Sequence, residues 1–273
     1  MHRLKTGALL QGSVLMGAVC GHAAPAAYQA LSDYGAAMGL AFQVVDDILD
    51  VVADSATLGK TAGKDAAADK PTYVSLLGLE RAQAHAQELL QDAHAALALV
   101  FQAQGEPGLA EKHFQKALQA RPGDTRIRNN YGSFLYAQGR FAEAKQMFRL
   151  ASADTLYPER SRVYENLGLT ALKLERRDQA HAYLLKALQL NQRQPKALLE
   201  MAELSYENRH YVPARDYYDR FSQLSDHDAR SLLLGSRLAR VFDEQGALAE
   251  LGQQLQRLYP GTPEYQQYLS EQR

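Results

Sequence analysis

Gln43, Asp46, Asp47 and Asp50 are separated by offsets of three, four and seven, which puts all four on one face of a helix otherwise made of Ala, Phe, Val, Ile and Leu. Three carboxylates this close repel one another unless water or a cation intervenes. An all-oxygen ligand set suits Mg²⁺ bridging to phosphates. Lys60, Lys64 and Lys70 follow and could neutralise those phosphates. On spacing alone the preferred reading is plainer: a solvated helix face followed by a basic loop. Nothing else in the chain suggests catalysis. His94 and His113 have no cysteine or carboxylate at metal-ligand spacing, and no serine has a convincing base. The eight histidines read as helix-surface residues. Cys20 is the only cysteine, which excludes an internal disulfide and a Cys-based zinc cage.

From about Gln91 onward the helical elements show themselves as a repeat, which does not extend back to the acidic stripe. Small residues recur at Ala98, Gly132, Gly168, Ala202 and Ser236, and a second series runs Ala110, Ala144, Ala180 and Ala214. Both step by about 34, the period of a helical-hairpin repeat of the tetratricopeptide type. Bulky residues keep the same phase at Leu97, Tyr131, Leu167 and Met201, and at Phe114, Phe148, Leu184 and Tyr218; Ala117, Ala151 and Ala187 form a further column. Each unit needs a small residue where its two helices cross closely and large apolar ones to fill the grooves beside it.

Five units are expected, at about 91–124, 125–160, 161–194, 195–228 and 229–262. The last is degenerate, with Leu248 and Gly252 in place of Ala and an aromatic residue, and a short closing helix starts at Pro263. The step near Asp154 to Glu159 is longer by two residues, which an extended loop absorbs without changing the helices. Pro122, Pro158, Pro195 and Pro260 fall near unit ends, and Gly105, Gly139 and Gly246 suit left-handed turns within units. The fold class is therefore all-α: a tetratricopeptide α-solenoid of about five helical hairpins over 91–273, preceded over 1–90 by a helical segment of different character. That segment reads as helices over Ala27–Val52 and Thr72–Leu99, joined by a Gly, Lys and Asp-rich stretch from Asp54 to Lys70.

The wording of residues 1–90 is more specific than its spacing. Phe42-Gln-Val-Val-Asp-Asp-Ile-Leu-Asp50, then Leu58-Gly-Lys-Thr-Ala-Gly-Lys-Asp-Ala-Ala-Ala-Asp-Lys-Pro-Thr-Tyr73, resembles the second aspartate-rich motif and following loop of farnesyl diphosphate synthases, polyprenyl synthetases with the isoprenoid-synthase fold; His2-Arg-Leu-Lys-Thr-Gly7 is similar to their Lys-Thr segment. The resemblance implies Mg²⁺ at Asp46, Asp47 and Asp50, with Lys5, Thr6, Gln43, Lys60 and Lys70 at or supporting the allylic diphosphate. The family also uses an earlier, facing aspartate-rich helix. Ionising an allylic diphosphate depends on metals clamped from both sides and on exclusion of water, so no prenyltransferase turnover is expected from the single motif here.

From Asp92-Ala-His-Ala-Ala-Leu97 onward the chain resembles the type IV pilus biogenesis and stability proteins of the PilF/PilW family. Asn129-Asn-Tyr-Gly132, Asp154-Thr-Leu-Tyr-Pro-Glu-Arg-Ser-Arg162, Glu165-Asn-Leu-Gly168, Tyr211-Val-Pro-Ala-Arg215, Ala229-Arg-Ser-Leu-Leu-Leu-Gly235 and Arg257-Leu-Tyr-Pro-Gly261 carry the likeness. It implies an outer-membrane lipoprotein that binds another protein, the pilus secretin, during assembly, and that needs no cofactor. Two unrelated wordings meet inside one continuous helix near Leu89 to Leu97, as in a fusion of two fragments.

Composition fits a protein-binding scaffold. The 273 residues are 46% hydrophobic, and 30 Lys and Arg against 31 Asp and Glu leave a net charge of −1, which argues against a chain dominated by nucleic-acid or lipid-phosphate binding. No apolar run is long enough for a transmembrane helix. The start of the chain, Met1 to Cys20, imitates a secretory signal, but Gln11-Gly12-Ser13 interrupts its apolar zone and Val19 before Cys20 makes a poor lipoprotein site. An ordinary buried helix and a cytoplasmic chain are the expectation.

In stacked hairpins the first helices line a concave groove. Arg126, Arg162, Lys196 and Arg230 share one exposed phase, Asn130 and Asn166 another, and Tyr136 and Tyr206 a third. Such residues suit an extended peptide: cations for its carboxylates, amides for its backbone, rings for its side chains. The competing reading makes the cations solubilising surface and the asparagines links between neighbouring helices. Tyr131 and Tyr218 follow the core phase and should pack.

Overall fold

The computed structural model describes residues 6–52 and 71–272. All regular structure in them is helical. The chain divides into two compact units, Met1–Ile127 and Arg128–Arg273.

In the first unit, α1 (Thr6–Cys20) packs on α2 (Pro25–Val52), and α2 packs on α4 (Leu79–Ala103) and on the short α3 (Tyr73–Leu77); α5 (Pro107–Ala120) returns along α4. The expected helix over Thr72–Leu99 is broken. Gly78 takes φ 82, a left-handed value, and ends α3. Thr72 caps α3 through a capping box with Ser75. Beyond the break, α4 runs without interruption through the stretch where the two wordings meet. Helices α1 and α2 touch at backbone distance: a Cβ on Gly39 would lie 2.8 Å from the Gly7 Cα. The α2–α4 contact is filled by Ala41, Val44, Ile48, Ala82 and Leu89.

The expectation that residues 7–20 make a buried helix holds only for the helix. In α1 only Ala18 is buried, while Leu9, Met16 and Val19 stay 62–70% exposed. Its apolar residues are spread all round the axis, so one neighbour cannot cover them.

The second unit is a stack of hairpins. Most of α6 (Thr125–Ala137) with α7 (Phe141–Ser152), then α8 (Arg160–Lys173) with α9 (Arg177–Leu190), α10 (Pro195–Glu207) with α11 (Tyr211–Ser222) and α12 (Ala229–Val241) with α13 (Gln245–Leu258) make four; α14 (Pro263–Glu271) closes the array. With α4 and α5 of the first unit these account for the five expected hairpins. The columns read from the sequence are its core. Ala144, Ala180, Ala214, Ala151, Ala187, Phe148, Leu184 and Met201 are buried. A Cβ at Gly132 would meet the Phe148 ring at 2.7 Å, and one at Gly168 would meet Leu184 at 2.5 Å, so the small residue makes room for its bulky partner.

Gly252, an anomaly in the pattern, follows the same rule with a different partner. Tyr268 of α14 occupies the space a Cβ would need. The extra two residues fall in the loop 153–159, as expected, and α7 and α8 are regular on either side.

The turns hold one surprise. The left-handed residue inside successive hairpins is Gly105, Gly139, Glu175, Arg209 and Asp243, so Gly246 does not serve as expected and instead lies in the first turn of α13. Among the described residues no helix is long and apolar enough to cross a membrane.

Candidate partner groove and acidic helix

Side chains on the first helices of the hairpins, α6, α8, α10 and α12, line two hollows of the second unit. One, of about 790 Å³, lies over the N-terminal ends of these helices and is bounded by Asn129, Asn130, Arg162, Glu165, Asn166, Gln194 and Lys196. The other, of about 740 Å³, lies toward the C-terminal ends of α6, α8 and α10 and the start of α12, among Tyr136, Leu172, Lys173, Glu200, Glu203, Glu207 and Arg230. The repeat phase thus brings six of the eight expected groove residues to these walls: Asn130, Arg162, Asn166 and Lys196 in the first, Tyr136 and Arg230 in the second.

Arg126 is not among them; in the first unit its guanidinium donates to Asp92 at 2.6 Å. Tyr206 instead packs tilted against the Tyr211 ring, with centroids 5.5 Å apart.

The cations are less available than their phase implied. Arg230 donates to both oxygens of Glu200 at 2.8 Å and also to Glu203. Those hydrogen bonds, that to Glu200 first, hold its pKa above the ordinary arginine value. Arg162 pairs with Glu159 at 3.0 Å. Lys196 makes no ion pair among the described residues. Burial pushes the Glu165 and Glu203 carboxyls upward, and Arg230 only partly offsets this at Glu203.

Of the two readings of the asparagines, linkage is visible for Asn166, whose Nδ2 donates to the Asn129 Oδ1 at 3.2 Å and ties α8 to α6. Asn129 itself is buried, and so is Gln194, which donates to the Ser161 Oγ at 3.0 Å. These two, and the acids Glu200 and Glu203, were missed by spacing. The signal lay in the period: Asp92 and Arg126 are one repeat apart, and the other pairs span nearly one.

Tyr131 and Tyr218 are buried, as their phase required. The histidines depart from a pure surface role. His94 and His113 face each other with Nδ1 atoms 3.1 Å apart, and His227 packs on Tyr218 and Phe221.

On α2 the acidic face is drawn inward: Gln43, Asp47 and Asp50 are buried. Asp47 accepts from the Tyr73 backbone N–H at 2.8 Å, anchoring the start of α3, and from the Gln43 Nε2 at 3.4 Å. Asp46 and Asp50 are also engaged in interactions. Among the described residues no three His, Cys, Asp or Glu side chains gather as a metal site. Thr6 opens α1; Lys5, Lys60 and Lys70 lie outside the described residues.

The polyprenyl synthetase family profile matches residues 1–100, and tetratricopeptide repeat profiles match 101–160 and 161–194. The type IV pilus assembly protein PilF of Pseudomonas aeruginosa is 55% identical over 180 residues, covering 66% of this chain and 71% of that protein. The probable farnesyl diphosphate synthase of Bradyrhizobium diazoefficiens is 59% identical over 102 residues, covering 36% of this chain; the chain spans only 31% of that enzyme. Among solved structures, that of Pseudomonas aeruginosa PilF superposes with a TM-score of 0.66 at 51% identity over 73% of this chain and 92% of the other. PilW, a widely conserved type IV pilus biogenesis factor, gives 0.56 at 28% identity over 72% and 93%.

Proposed function

The chain belongs, through its repeat region, to the family of the type IV pilus assembly protein PilF, and from that premise we propose that it is a scaffold of pilus assembly which holds the pilus secretin on the first-helix face of its second unit. The observation that carries this reading is the pair of polar hollows along α6, α8, α10 and α12, where amides, a lysine and a tyrosine ring stand on a rigid stack. Such a surface holds an extended segment by hydrogen bonds to its backbone and by cations beside its carboxylates. Because the hairpins are already packed, little ordering opposes binding. The test is capture of the purified secretin by the full chain. Lys196→Glu or Tyr136→Ala should weaken it about tenfold or more with unchanged thermal unfolding. Undiminished capture by both variants would remove the groove from the account.

A second reading concerns the first unit and rests on the 59% identity to the synthase. Mg²⁺-dependent diphosphate binding at Asp46, Asp47 and Asp50, with Lys5, Thr6, Gln43, Lys60 and Lys70 around the phosphates, is its content. When bound, the ion would neutralise the diphosphate. Binding by calorimetry that needs Mg²⁺ and vanishes in Asp46→Ala would support it; the inward engagement of Asp47 speaks for a structural role instead.

A further inference from the structure

The loop 153–159 interrupts the repeat, and what it displays differs from what the other loop of comparable length displays. Between α11 and α12, Leu224 turns inward and packs against the core of the neighbouring hairpins. Between α7 and α8, Leu156 points outward and is 90% exposed, more than any other large apolar side chain described.

The exposure is not that of a loose segment. The Leu156 N–H donates to the Asp154 Oδ1 at 3.0 Å, the Arg160 N–H donates to the Tyr157 carbonyl at 3.1 Å, and the Arg160 Nε donates back to the Ser152 carbonyl at 3.1 Å. Both ends and the middle of the loop are pinned. A scattered surface leucine needs no explanation, but a leucine held outward by a locked backbone, in the one step that breaks the repeat period, is a placed feature.

Its surroundings say what it faces. Pro158 and Glu159 of the same loop form part of the wall of the 790 Å³ hollow, whose further wall carries Arg193 and Lys196. Neither of these cations has an ion pair among the described residues, in contrast to Arg162 and Arg230. Pro158 and Glu159, two and three residues after Leu156, thus border the hollow on one side and Arg193 and Lys196 border it on another, the Lys196 charge also acting on the Glu165 carboxyl.

We propose that Leu156 is an anchor that enters an apolar recess on the protein partner, and that acidic side chains of the partner beside that recess meet Arg193 and Lys196. The proposal rests on the scaffold reading above and adds to it the chemistry of the partner surface: apolar at one point and negatively charged next to it. Since the loop is already ordered, burying the leucine carries little entropic penalty. Its removal should weaken binding roughly ten- to a hundredfold.

The test uses the full chain and purified secretin. Leu156→Asp should lose that factor in affinity with an unchanged melting curve, while Leu156→Met retains binding. Arg193→Glu with Lys196→Glu should weaken binding and flatten its dependence on salt. The chain contains no tryptophan, so Leu156→Trp places a single fluorophore at the anchor whose emission should shift to the blue on binding. If Leu156→Asp binds as tightly as the parent while Lys196→Glu does not, the anchor falls and the scaffold reading stands. If the parent chain fails to bind the secretin, both fall. Unshifted emission from the bound Leu156→Trp variant also overturns the anchor.

Discussion

His94 and His113 illustrate how two ordinary residues become a sensor once folding brings them together. Their Nδ1 atoms lie 3.1 Å apart, a distance that suits one shared proton and opposes two. Burial comes first in lowering both pKa values from 6.5; Lys116 adds to this at His94, and at His113 the facing imidazole, Lys116 and Lys112 do so. A histidine whose folded pKa is depressed contributes stability that is fully present above its unfolded value and is lost as pH falls through the folded one. The α4–α5 hairpin should therefore weaken as pH drops below about 6.5. His113→Asn should flatten that dependence, and thermal unfolding followed from pH 7.5 to 5 in both proteins checks it. The left-handed residue Arg209, at φ 60, is a second single-residue case. Arg209→Gly relieves backbone strain at an exposed site, and should raise stability by about 0.5–1 kcal/mol in denaturant titration. Neither feature was legible in the sequence. Nothing in its wording distinguishes Glu175, Arg209 and Asp243 from helical residues, whereas Gly246 advertises a turn it does not make.

At the scale of elements, the reading was most complete where one physical requirement repeats. The demand that Gly132 admit Phe148 and Gly168 admit Leu184 recurs once per hairpin, so the alternation of small and large shows through any change of surface residues. Gly168→Ala should cost about 1–3 kcal/mol by overpacking, measured by chemical unfolding, because its new methyl must displace a fully buried leucine. Gly39→Ala should likewise pry α1 from α2, where backbone meets backbone and no side chain can yield. Where requirements do not repeat, legibility fades. Gly78 breaks what the apolar pattern presents as one helix, because hydrophobic periodicity registers which residues face inward and not whether the backbone between them is continuous. The charge pairs were hidden for another reason. Phase shows that Arg126 and Arg230 stand outward on their helices, but only the neighbouring helix reveals that Asp92 and Glu200 are waiting for them.

For the whole molecule, the charge balance decides which kind of partner is reasonable. With a net charge of −1 and most groove arginines satisfied internally, association should depend only modestly on ionic strength, apart from the contribution of Arg193 and Lys196. A titration of secretin binding from about 50 to about 500 mM salt tests this. Labelled allylic and homoallylic diphosphates should give no condensed product with this chain, because Asp47 is committed to the start of α3.

Helix α4 runs unbroken from Leu79 to Ala103, with synthase-like wording at one end and pilus-family wording at the other. A helix is a screw, so length and angle cannot be altered separately: each added residue advances the far end by about 1.5 Å and turns it by about 100°. One alanine inserted after Gln91 would swing His94 and the seat of α5 a quarter-turn away from the side that α2 grips, whereas seven inserted residues would nearly restore the bearing. Any splice of the two ancestries that survived had to land on one of the few permitted lengths.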